Sequence, residues 1–461
     1  MFAVNLQKVV SQINIRSFIS IISSKVIIRL SKLLFKGGSN FPGRIALKID
    51  KNILSIAAKG YEIILITGTN GKTTTTSMIY NMLKSSNKFV ITNNTGANML
   101  PGIVSCFIEN YCFRKSSTEK YAVIEVDEAN LPLVTHYIKP RIITVTNLFR
   151  DQLDRYGEVY TTLKKILEGI KKSPSSTLVL NGDESLLGDL DLENELIYYG
   201  FDYAMDENKQ LDINADSKFC KKCKNPYSYN YITYNHLGSF YCSECGYSRP
   251  ELDYAVNNIL DQTPKSSLVW LDGIEYYINQ PGTYNIYNAL CAYSVAKTLY
   301  IENSVIYEVL KNTSSSFGRQ EALSIDDKEI KIILVKNPAG FDQAINTISL
   351  DKRTINTVFM LNDNYADGRD VSWIWDVNFE KLSSLHIDKV MISGIRLYDM
   401  AVRLKVAGLP QEGFKLCKEY EGLLNEIKRC KAPTVYILAT YTAMINFRKY
   451  LHSKGYIKKL W

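Results

Sequence analysis

The sequence lacks an N-terminal segment of the kind that directs export. The apolar stretch from Phe18 to Phe35 is interrupted by Lys25, Arg29 and Lys32, and no small-residue cleavage site follows it. Because a bilayer core tolerates few such charges, the same residues exclude a membrane-spanning helix. We therefore expect the chain to remain in the reducing cytoplasm, where its nine cysteines are free thiols or metal ligands and not disulfides.

The spacing of Ile, Val and Leu from Ile13 to Leu34 predicts an amphipathic helix with basic residues between the apolar ones. Such a helix either packs against the rest of the chain or lies on a membrane, and we favour packing. The formal charge of +8 is modest for 461 residues. It suits phosphorylated substrates or an anionic membrane surface without choosing between them.

Alternating strands and helices predict an α/β protein with two domains. Short β-branched runs at 62–67, 121–127, 141–147 and 177–181 indicate buried parallel strands of a doubly wound domain. After the polar stretch 312–316, a second series has strands at 331–336, 357–361, 389–393 and 434–439. We divide the chain into an N-terminal helical segment (1–50), a central domain (51–311) with a cysteine-rich insertion (212–253), and a smaller Rossmann-like C-terminal domain (312–461).

A phosphate-binding loop follows the first predicted strand. Its residues are Gly68, Thr69, Asn70, Gly71, Lys72, Thr73 and Thr74, and a helical stretch begins there. Glycines let backbone N–H groups approach a triphosphate, Lys72 supplies a positive charge, and the Thr73 hydroxyl can ligate magnesium. Ile66 stands where the longer Walker loop has its first glycine, so a glycine-rich turn without a ligand is the alternative.

The stretch from Thr67 to Thr74 resembles the ATP loop of the Mur ligase and folylpolyglutamate synthetase superfamily, which is shortened in the same way. Five further blocks resemble that superfamily in the same order. They are Glu125 to Glu128, Thr146 to Gly157, Asn181 to Glu184, Gly282 to Ala289, and Gly318 to Glu321. The resemblance implies a Mur-ligase-like fold for the central domain.

The resemblance also assigns roles to residues of these blocks. It implies that Glu125 holds magnesium together with Thr73, and that Asn285, Asn288 and Arg319 contact the nucleotide. Gln152 stands where the superfamily has a magnesium-binding histidine, so a second metal site stays open.

The cysteine-rich insertion and the segment 361–376 resemble the MurT family, the synthetase subunits of lipid II isoglutaminyl synthase, and this likeness spans essentially the whole chain. It implies ATP-dependent amidation of the D-glutamate α-carboxylate of lipid II to D-isoglutamine, through an acyl phosphate, in peptidoglycan biosynthesis. Ammonia would come from a separate GatD-like glutaminase subunit. Since the loop begins as early as Thr67, we expect the nucleotide-sugar domain of the stepwise Mur ligases to be missing.

The cysteines and histidines of the chain agree with a glutaminase site on a separate subunit. A glutaminase needs a cysteine thiolate and a histidine base. The chain has only four histidines, which are His136, His236, His386 and His452. Five cysteines lie outside the Cys-x-x-Cys pairs and lack a recognisable nucleophile turn: Cys106, Cys112, Cys291, Cys417 and Cys430. We expect each of these residues to be an ordinary core or surface residue.

Four aspartates follow a predicted strand of the C-terminal domain, at the edge where open α/β sheets present their sites. They are Asp363, Asp367, Asp370 and Asp376. The resemblance implies a nucleotide contact for Asp363 and an active-site aspartate in this segment. We choose Asp370 first and Asp367 second, assisting the catalytic histidine of the partner or guiding ammonia. The alternative is a solvated acidic loop.

The pairs Cys220-x-x-Cys223 and Cys242-x-x-Cys245 have the spacing of a four-thiolate zinc ribbon. An insertion of this size cannot bury a core of its own, so a metal ion can supply the missing folding free energy. With four thiolates no coordination position remains for water, and the zinc should be structural. A pair of disulfides is the alternative.

Two other functions remain open. The nucleophile could be an amino acid, as in peptide-adding or polyglutamylating ligases. Tyrosines around the cysteines could instead make a nucleic-acid-binding NTPase module. We expect packing around the metal to account for those tyrosines, and no nucleic acid as partner.

Overall fold

The computed structural model describes residues 14–34, 40–93, 97–113, 119–150, 159–205, 216–313 and 319–457. The predicted N-terminal helix is confirmed over Ile15–Leu34 and is followed by helices Asn40–Ile49 and Ile53–Ala57. Among the helices of these ranges, none is both long and apolar enough to cross a membrane.

Helix Ile15–Leu34 packs against Asn40–Ile49, which in turn packs against Leu100–Glu109 in the central domain. This second contact requires close backbone approach. A Cβ on Gly43 would lie 1.8 Å from the carbonyl oxygen of Pro101. The absence of a side chain at Gly43 therefore allows the N-terminal helices to pack closely against the central domain.

Nine strands form the central sheet within the described residues. They are β1 (Tyr61–Thr67), β2 (Phe89–Thr92), β3 (Lys120–Glu125), β4 (Ile142–Val145), β5 (Thr177–Asn181), β6 (Leu196–Phe201), β9 (Tyr254–Gln262), β10 (Ser267–Leu271) and β11 (Ile274–Ile278). Their order is β2-β3-β1-β4-β5-β6-β9-β10-β11, parallel as far as β9 and antiparallel thereafter.

Strand β1 lies at the centre of this sheet, between β3 and β4. Ile64 and Ile66 belong to one core cluster, and Ile63 and Leu65 to a second. Because successive side chains of a strand point to opposite faces, each face has its own helical layer. Helices Lys72–Ser85, Thr283–Thr298 and Asn303–Asn312 contribute to the first core, and Leu100–Glu109, Leu131–Tyr137 and Val159–Lys171 to the second.

Neighbours on both sides of β1 place its carboxyl end at a topological switch point, where open α/β sheets bind their ligands. The predicted doubly wound domain is thus confirmed, although β2 and β6 were not among the strands predicted from the sequence. The insertion contains an antiparallel hairpin, β7 (Ser228–Tyr234) and β8 (Leu237–Tyr241).

The C-terminal domain has a six-stranded sheet in the described residues, in the order β12-β13-β17-β14-β15-β16. The strands are β12 (Arg319–Ile325), β13 (Lys328–Leu334), β14 (Ile355–Met360), β15 (Ile387–Ser393), β16 (Phe414–Cys417) and β17 (Thr434–Ala439). Only the β12–β13 pair is antiparallel. Helices Pro338–Ile348, Leu397–Val406, Tyr420–Lys428 and Tyr441–Ser453 and 3-10 turns Ser372–Asp376, Phe379–Ser384 and Gln411–Gly413 complete it.

The substitution Gly43→Ala should lower stability by about 1–3 kcal/mol, because the added methyl group meets a backbone oxygen that cannot move independently. The matched control is Gly422→Ala, at an exposed position of helix Tyr420–Lys428, where a Cβ meets no atom within 4 Å. Alanine there should be neutral or stabilising by up to about 1 kcal/mol. Thermal unfolding midpoints measure both, and equal midpoints for the two variants would contradict the close packing at Gly43.

Candidate active site

The phosphate-binding loop connects β1 to helix Lys72–Ser85 through two glycines in the left-handed region. Gly68 has φ +118° and Gly71 has φ +87°. A Cβ on Gly71 would lie 2.0 Å from Oδ1 of Asn288. Glycine is therefore needed at Gly71 both for the backbone conformation and for the contact with the helix behind the loop.

The segment after β4 holds the loop in place. The backbone N–H of Thr69 donates to the carbonyl oxygen of Asn147 at 2.9 Å. Asn70 donates its N–H to Oδ1 of Asn147 at 2.9 Å and accepts from Nδ2 of Asn147 at 3.1 Å. The side-chain Nδ2 of Asn70 is buried, with no hydrogen-bond partner among the described residues. A buried donor without a partner is costly, so this atom suits an anionic ligand such as a phosphate oxygen.

Lys72 lies largely buried among carboxylates, with 11% of its side chain exposed. Its Nζ donates to the carbonyl oxygen of Gly68 at 2.5 Å and to Oε1 of Glu128 at 2.8 Å. Burial by itself would lower the pKa of Lys72, but the charges of Glu128 and Glu125 outweigh it and raise the pKa. Lys72 therefore carries its charge at neutral pH, as a phosphate-binding lysine must.

The two predicted magnesium ligands lie together. The hydroxyl of Thr73 donates to Oε2 of Glu125 at 2.7 Å, and Asn98 donates to Oε1 of Glu125 at 3.0 Å. A hydroxyl and a carboxylate are hard oxygen donors of the type that magnesium prefers. The donor set fits the ion that a nucleotide would bring.

A cleft of about 400 Å³ opens beside the loop. Its walls come from the central domain, including the phosphate loop and acidic residues Glu125, Asp127 and Glu128, from the insertion, and from the C-terminal domain. The insertion contributes Tyr234 and Leu237, and the C-terminal domain contributes among others Lys336 and Gln343. Sequence patterns did not indicate these four residues. Lys336, however, ends the predicted strand 331–336, and ligand sites often form at strand ends.

The structure brings most of the predicted nucleotide-binding residues together. Thr69, Asn70, Gly71, Lys72 and Asn288 line the cleft. Asn285 lies behind it and accepts a hydrogen bond from Asn288 at 3.1 Å, while Thr74 is buried in the helix. The backbone of Arg319 belongs to β12, but its side chain lies outside the described part of the molecule, as does the whole of Gln152.

The aspartates of the C-terminal domain form local interactions. Asp363 pairs with Arg396 at 3.0 Å. Asp367 is buried and accepts from the backbone N–H and hydroxyl of Thr442, in the first turn of helix Tyr441–Ser453. None of the cleft-lining residues in the described ranges comes from 361–376. The predicted nucleotide contact of Asp363 and the catalytic roles of Asp367 and Asp370 stay predictions.

Asp370 is exposed and lies two residues before the 3-10 turn Ser372–Asp376. It accepts from the backbone N–H of Ser372 at 2.8 Å and from its hydroxyl at 2.9 Å. These hydrogen bonds hold the pKa of Asp370 below its usual value. The other end of the segment reaches the central domain, because Asp376 lies 3.7 Å from Arg150 across a second cleft of about 300 Å³.

A buried histidine of the insertion is connected through Glu184 to the segment that holds the phosphate loop. His236 Nε2 lies 2.8 Å from Oε2 of Glu184, and the same oxygen accepts from the backbone N–H of Leu148 at 3.1 Å. Both side chains are fully buried. Burial would lower the pKa of His236, but Glu184 raises it above the ordinary value. Sequence reasoning had no signal for this pair, whose members are 52 residues apart.

The four paired cysteines converge as their spacing predicts. The sulfur atoms of Cys220, Cys223, Cys242 and Cys245 all lie within 4.8 Å of one another. Tyr227, Phe240 and Tyr247 pack beside them as a small core. Such a cluster of four thiols fits one tetrahedral metal ion.

Comparison with known proteins agrees with this architecture. Residues 66–243 match the model of the Mur ligase middle domain, and residues 334–444 match that of the MurT ligase C-terminal domain. The MurT subunit of lipid II isoglutaminyl synthase (glutamine-hydrolyzing) from Streptococcus pneumoniae is 41% identical, over 92% of this chain and 94% of that protein. The subunit of the same name from Staphylococcus aureus is 36% identical over 85% and 88%.

The chain belongs to the MurT family. It is thus an ATP-dependent ligase of the Mur ligase superfamily.

Solved structures support the fold. A pseudomurein peptide ligase type C from Methanothermus fervidus aligns with a TM-score of 0.67 at 20% identity, covering 88% of this chain and 80% of that one. A folylpolyglutamate synthase from Mycobacterium tuberculosis aligns with a TM-score of 0.61 at 13% identity, covering 95% and 100%. Both confirm the Mur-ligase-like fold expected from the sequence.

The His236–Glu184 pair predicts a pH-dependent stability. A histidine whose folded pKa exceeds its unfolded value near 6.5 contributes stability below that value, and the contribution is lost as the pH rises through the folded pKa. Replacement of one member of a buried pair costs roughly 3–5 kcal/mol. We expect His236→Gln to lower the unfolding midpoint most at pH 6, with the difference from the original protein shrinking above pH 6.5.

Thermal melts across this pH range measure the effect. His386→Gln serves as the control, because His386 is exposed and should not alter the profile. A His236→Gln difference that is constant with pH would mean that this histidine is not charged in the fold.

Proposed function

We propose that the chain catalyses ATP-dependent amidation of the D-glutamate α-carboxylate of lipid II to D-isoglutamine, in peptidoglycan biosynthesis. The observation that carries this proposal is the cleft at the phosphate loop, with Lys72 charged opposite Glu125 and Glu128, in a chain 41% identical to a subunit named for this synthesis. Because the proposed substrate is lipid-linked, we infer that the reaction takes place in the cytoplasm at the inner face of the membrane.

Two chemical steps account for the reaction. An oxygen of the substrate carboxylate attacks the γ-phosphorus of ATP, and ADP leaves, which gives an acyl phosphate. The nitrogen of ammonia then attacks the acyl carbon, inorganic phosphate leaves, and a proton is lost from nitrogen to give the amide. The phosphate group thus makes the carboxylate oxygen a leaving group.

The residues of the cleft align the reactants and neutralise charge. The N–H groups at the start of helix Lys72–Ser85 and the side chain of Lys72 bind the triphosphate, while Asn288 packs against Gly71. Bound magnesium, held by Thr73 and Glu125, would offset the charge that develops on the phosphate oxygens. The insertion and the C-terminal domain close the cleft and limit the access of water.

We infer that ammonia is supplied by a GatD-like glutaminase subunit. The names of both curated relatives include glutamine hydrolysis and the word subunit. Three of the five thiols outside the cysteine cluster are poor nucleophiles, because burial raises the pKa of Cys106 to about 12 and those of Cys291 and Cys430 to about 11. We therefore expect the glutaminase site to come from another chain.

We propose that Asp370 assists the catalytic histidine of the glutaminase or guides ammonia. It is exposed, ionised and fixed by Ser372, so a partner histidine could approach its carboxylate. Asp367 is second, because its carboxylate is already engaged by the helix that begins at Tyr441.

Activity with two nitrogen sources tests this function. Lys72→Met should reduce phosphate release and lipid II amidation by on the order of 10²–10³-fold with either ammonium or glutamine, because it removes the phosphate-binding charge. Asp370→Asn should keep ammonium-dependent amidation and lose glutamine-dependent amidation in the presence of the glutaminase.

Mass spectrometry of the product distinguishes the outcomes. An acid-to-amide mass change with ammonium supports the proposal, whereas incorporation of an amino acid without any response to ammonium would replace it with a peptide-adding ligase. Equal loss of both activities in Asp370→Asn would assign that residue to the synthetase step. Unchanged activities would remove it from the chemistry.

We further propose that the cysteine cluster holds one structural zinc ion. Metal analysis should find about one equivalent of zinc, and Cys242→Ser should lose it, since three thiolates bind more weakly than four. The unfolding midpoint should fall as well, because the hairpin carries both His236 and cleft-lining residues. Cys112→Ser, at an exposed thiol outside the cluster, is the control and should retain zinc and stability. An unchanged zinc content in Cys242→Ser would overturn the assignment.

A further inference from the structure

Helix Ile15–Leu34 has its small polar residues on the inside. Ser17, Ser20 and Ser24 are buried against helix Asn40–Ile49. Their hydroxyls donate to Oδ2 of Asp50 at 2.6 Å and to the carbonyl oxygens of Ala46 at 3.0 Å and Pro42 at 3.2 Å. The serines thus allow the two helices to approach closely and leave the larger side chains to the opposite face.

The opposite face is an exposed aliphatic stripe. Its residues are Ile15, Ile19, Ile22, Val26 and Leu30, each between 40% and 64% exposed. With 100° per residue they fall within a sector of about 80° on the helix. Scattered exposed aliphatic residues are ordinary, but a continuous stripe over four turns marks a surface that contacts something apolar.

The charge of this region complements an anionic surface. Residues 1–49 contain eight Lys and Arg and no Asp or Glu, so they account for the whole formal charge of +8. Arg16 and Arg29 are exposed on either side of the aliphatic stripe. The adjoining helix adds exposed Arg44, Lys48 and Phe41. The remainder of the chain is balanced in charge.

We propose that this stripe lies in the surface of an anionic lipid bilayer, with the helix parallel to the membrane plane. Aliphatic side chains flanked by arginines are what an interfacial helix requires: the apolar face enters the acyl boundary, and the cations meet phosphate headgroups. The four basic residues Arg16, Lys25, Arg29 and Lys32 prevent the helix from spanning. The observations concern only the N-terminal region and do not depend on the proposed function, but such attachment would bring the cleft to a lipid-linked substrate.

Flotation of the full-length protein with lipid vesicles tests this proposal. We expect binding to phosphatidylcholine vesicles that contain phosphatidylglycerol to be roughly tenfold or more tighter than binding to phosphatidylcholine alone, and to weaken with salt. The triple variant Ile19→Ser, Ile22→Ser, Val26→Ser should bind at least roughly tenfold more weakly.

Two matched controls separate the helix from general properties of the protein. The variant Val402→Ser, Val406→Ser, Leu416→Ser removes three exposed aliphatic side chains from the C-terminal domain and should bind as the original protein does. Arg16→Gln with Arg29→Gln should weaken binding, whereas Lys311→Gln with Lys449→Gln changes the net charge equally and should not. The substituted side chains are exposed, so unchanged circular dichroism is expected for all variants.

Several results would overturn the proposal. One is equal vesicle binding by the helix variant and the original protein. Another is the absence of binding to anionic vesicles. A dimer in solution that the helix variant abolishes, without vesicle binding, would assign the stripe to a second copy of the chain. Because these vesicles contain no lipid II, and amidation can be measured on detergent-solubilised lipid II, failure of membrane binding is distinguishable from failure of the proposed function.

Discussion

The arrangement of the site depends on the largely buried positive charge of Lys72. A lysine in the interior stays charged only when opposite charges compensate for its lost hydration. Glu128 and Glu125 do so, and the carbonyl oxygen of Gly68 accepts one of its hydrogen bonds. A triphosphate with magnesium would bring anions to the lysine and a cation to the carboxylates.

The cleft depends on contacts between distant parts of the chain. Asn288 fills the space that glycine leaves at position 71, and Asn147 holds the neighbouring residue Asn70. The cysteine-rich insertion does more than fold around its sulfurs, because His236 and Glu184 join it to the segment after β4. Hydrogen bonds therefore join the insertion that contains the cysteine cluster to the segment that holds the phosphate-binding loop.

The C-terminal domain supplies one wall of the cleft. Its acidic segment, 361–376, does not line the cleft. Asp367 and Asp370 form hydrogen bonds within their own domain, to Thr442 and Ser372. Asp376, at the other end of the segment, approaches Arg150 of the central domain. Asp370 is exposed and is not among the residues that line the cleft.

Local patterns in the sequence determined the phosphate loop, the two series of parallel strands and the N-terminal helix, since spacing over a few residues indicates each of them. The two Cys-x-x-Cys pairs likewise predicted that Cys220, Cys223, Cys242 and Cys245 converge. Only the tertiary structure decided which face of the N-terminal helix is buried. It also paired His236 with Glu184 and separated the acidic segment from the cleft. These features arise from packing between residues far apart in the chain, where burial and charge compensation outweigh any preference that a local pattern expresses.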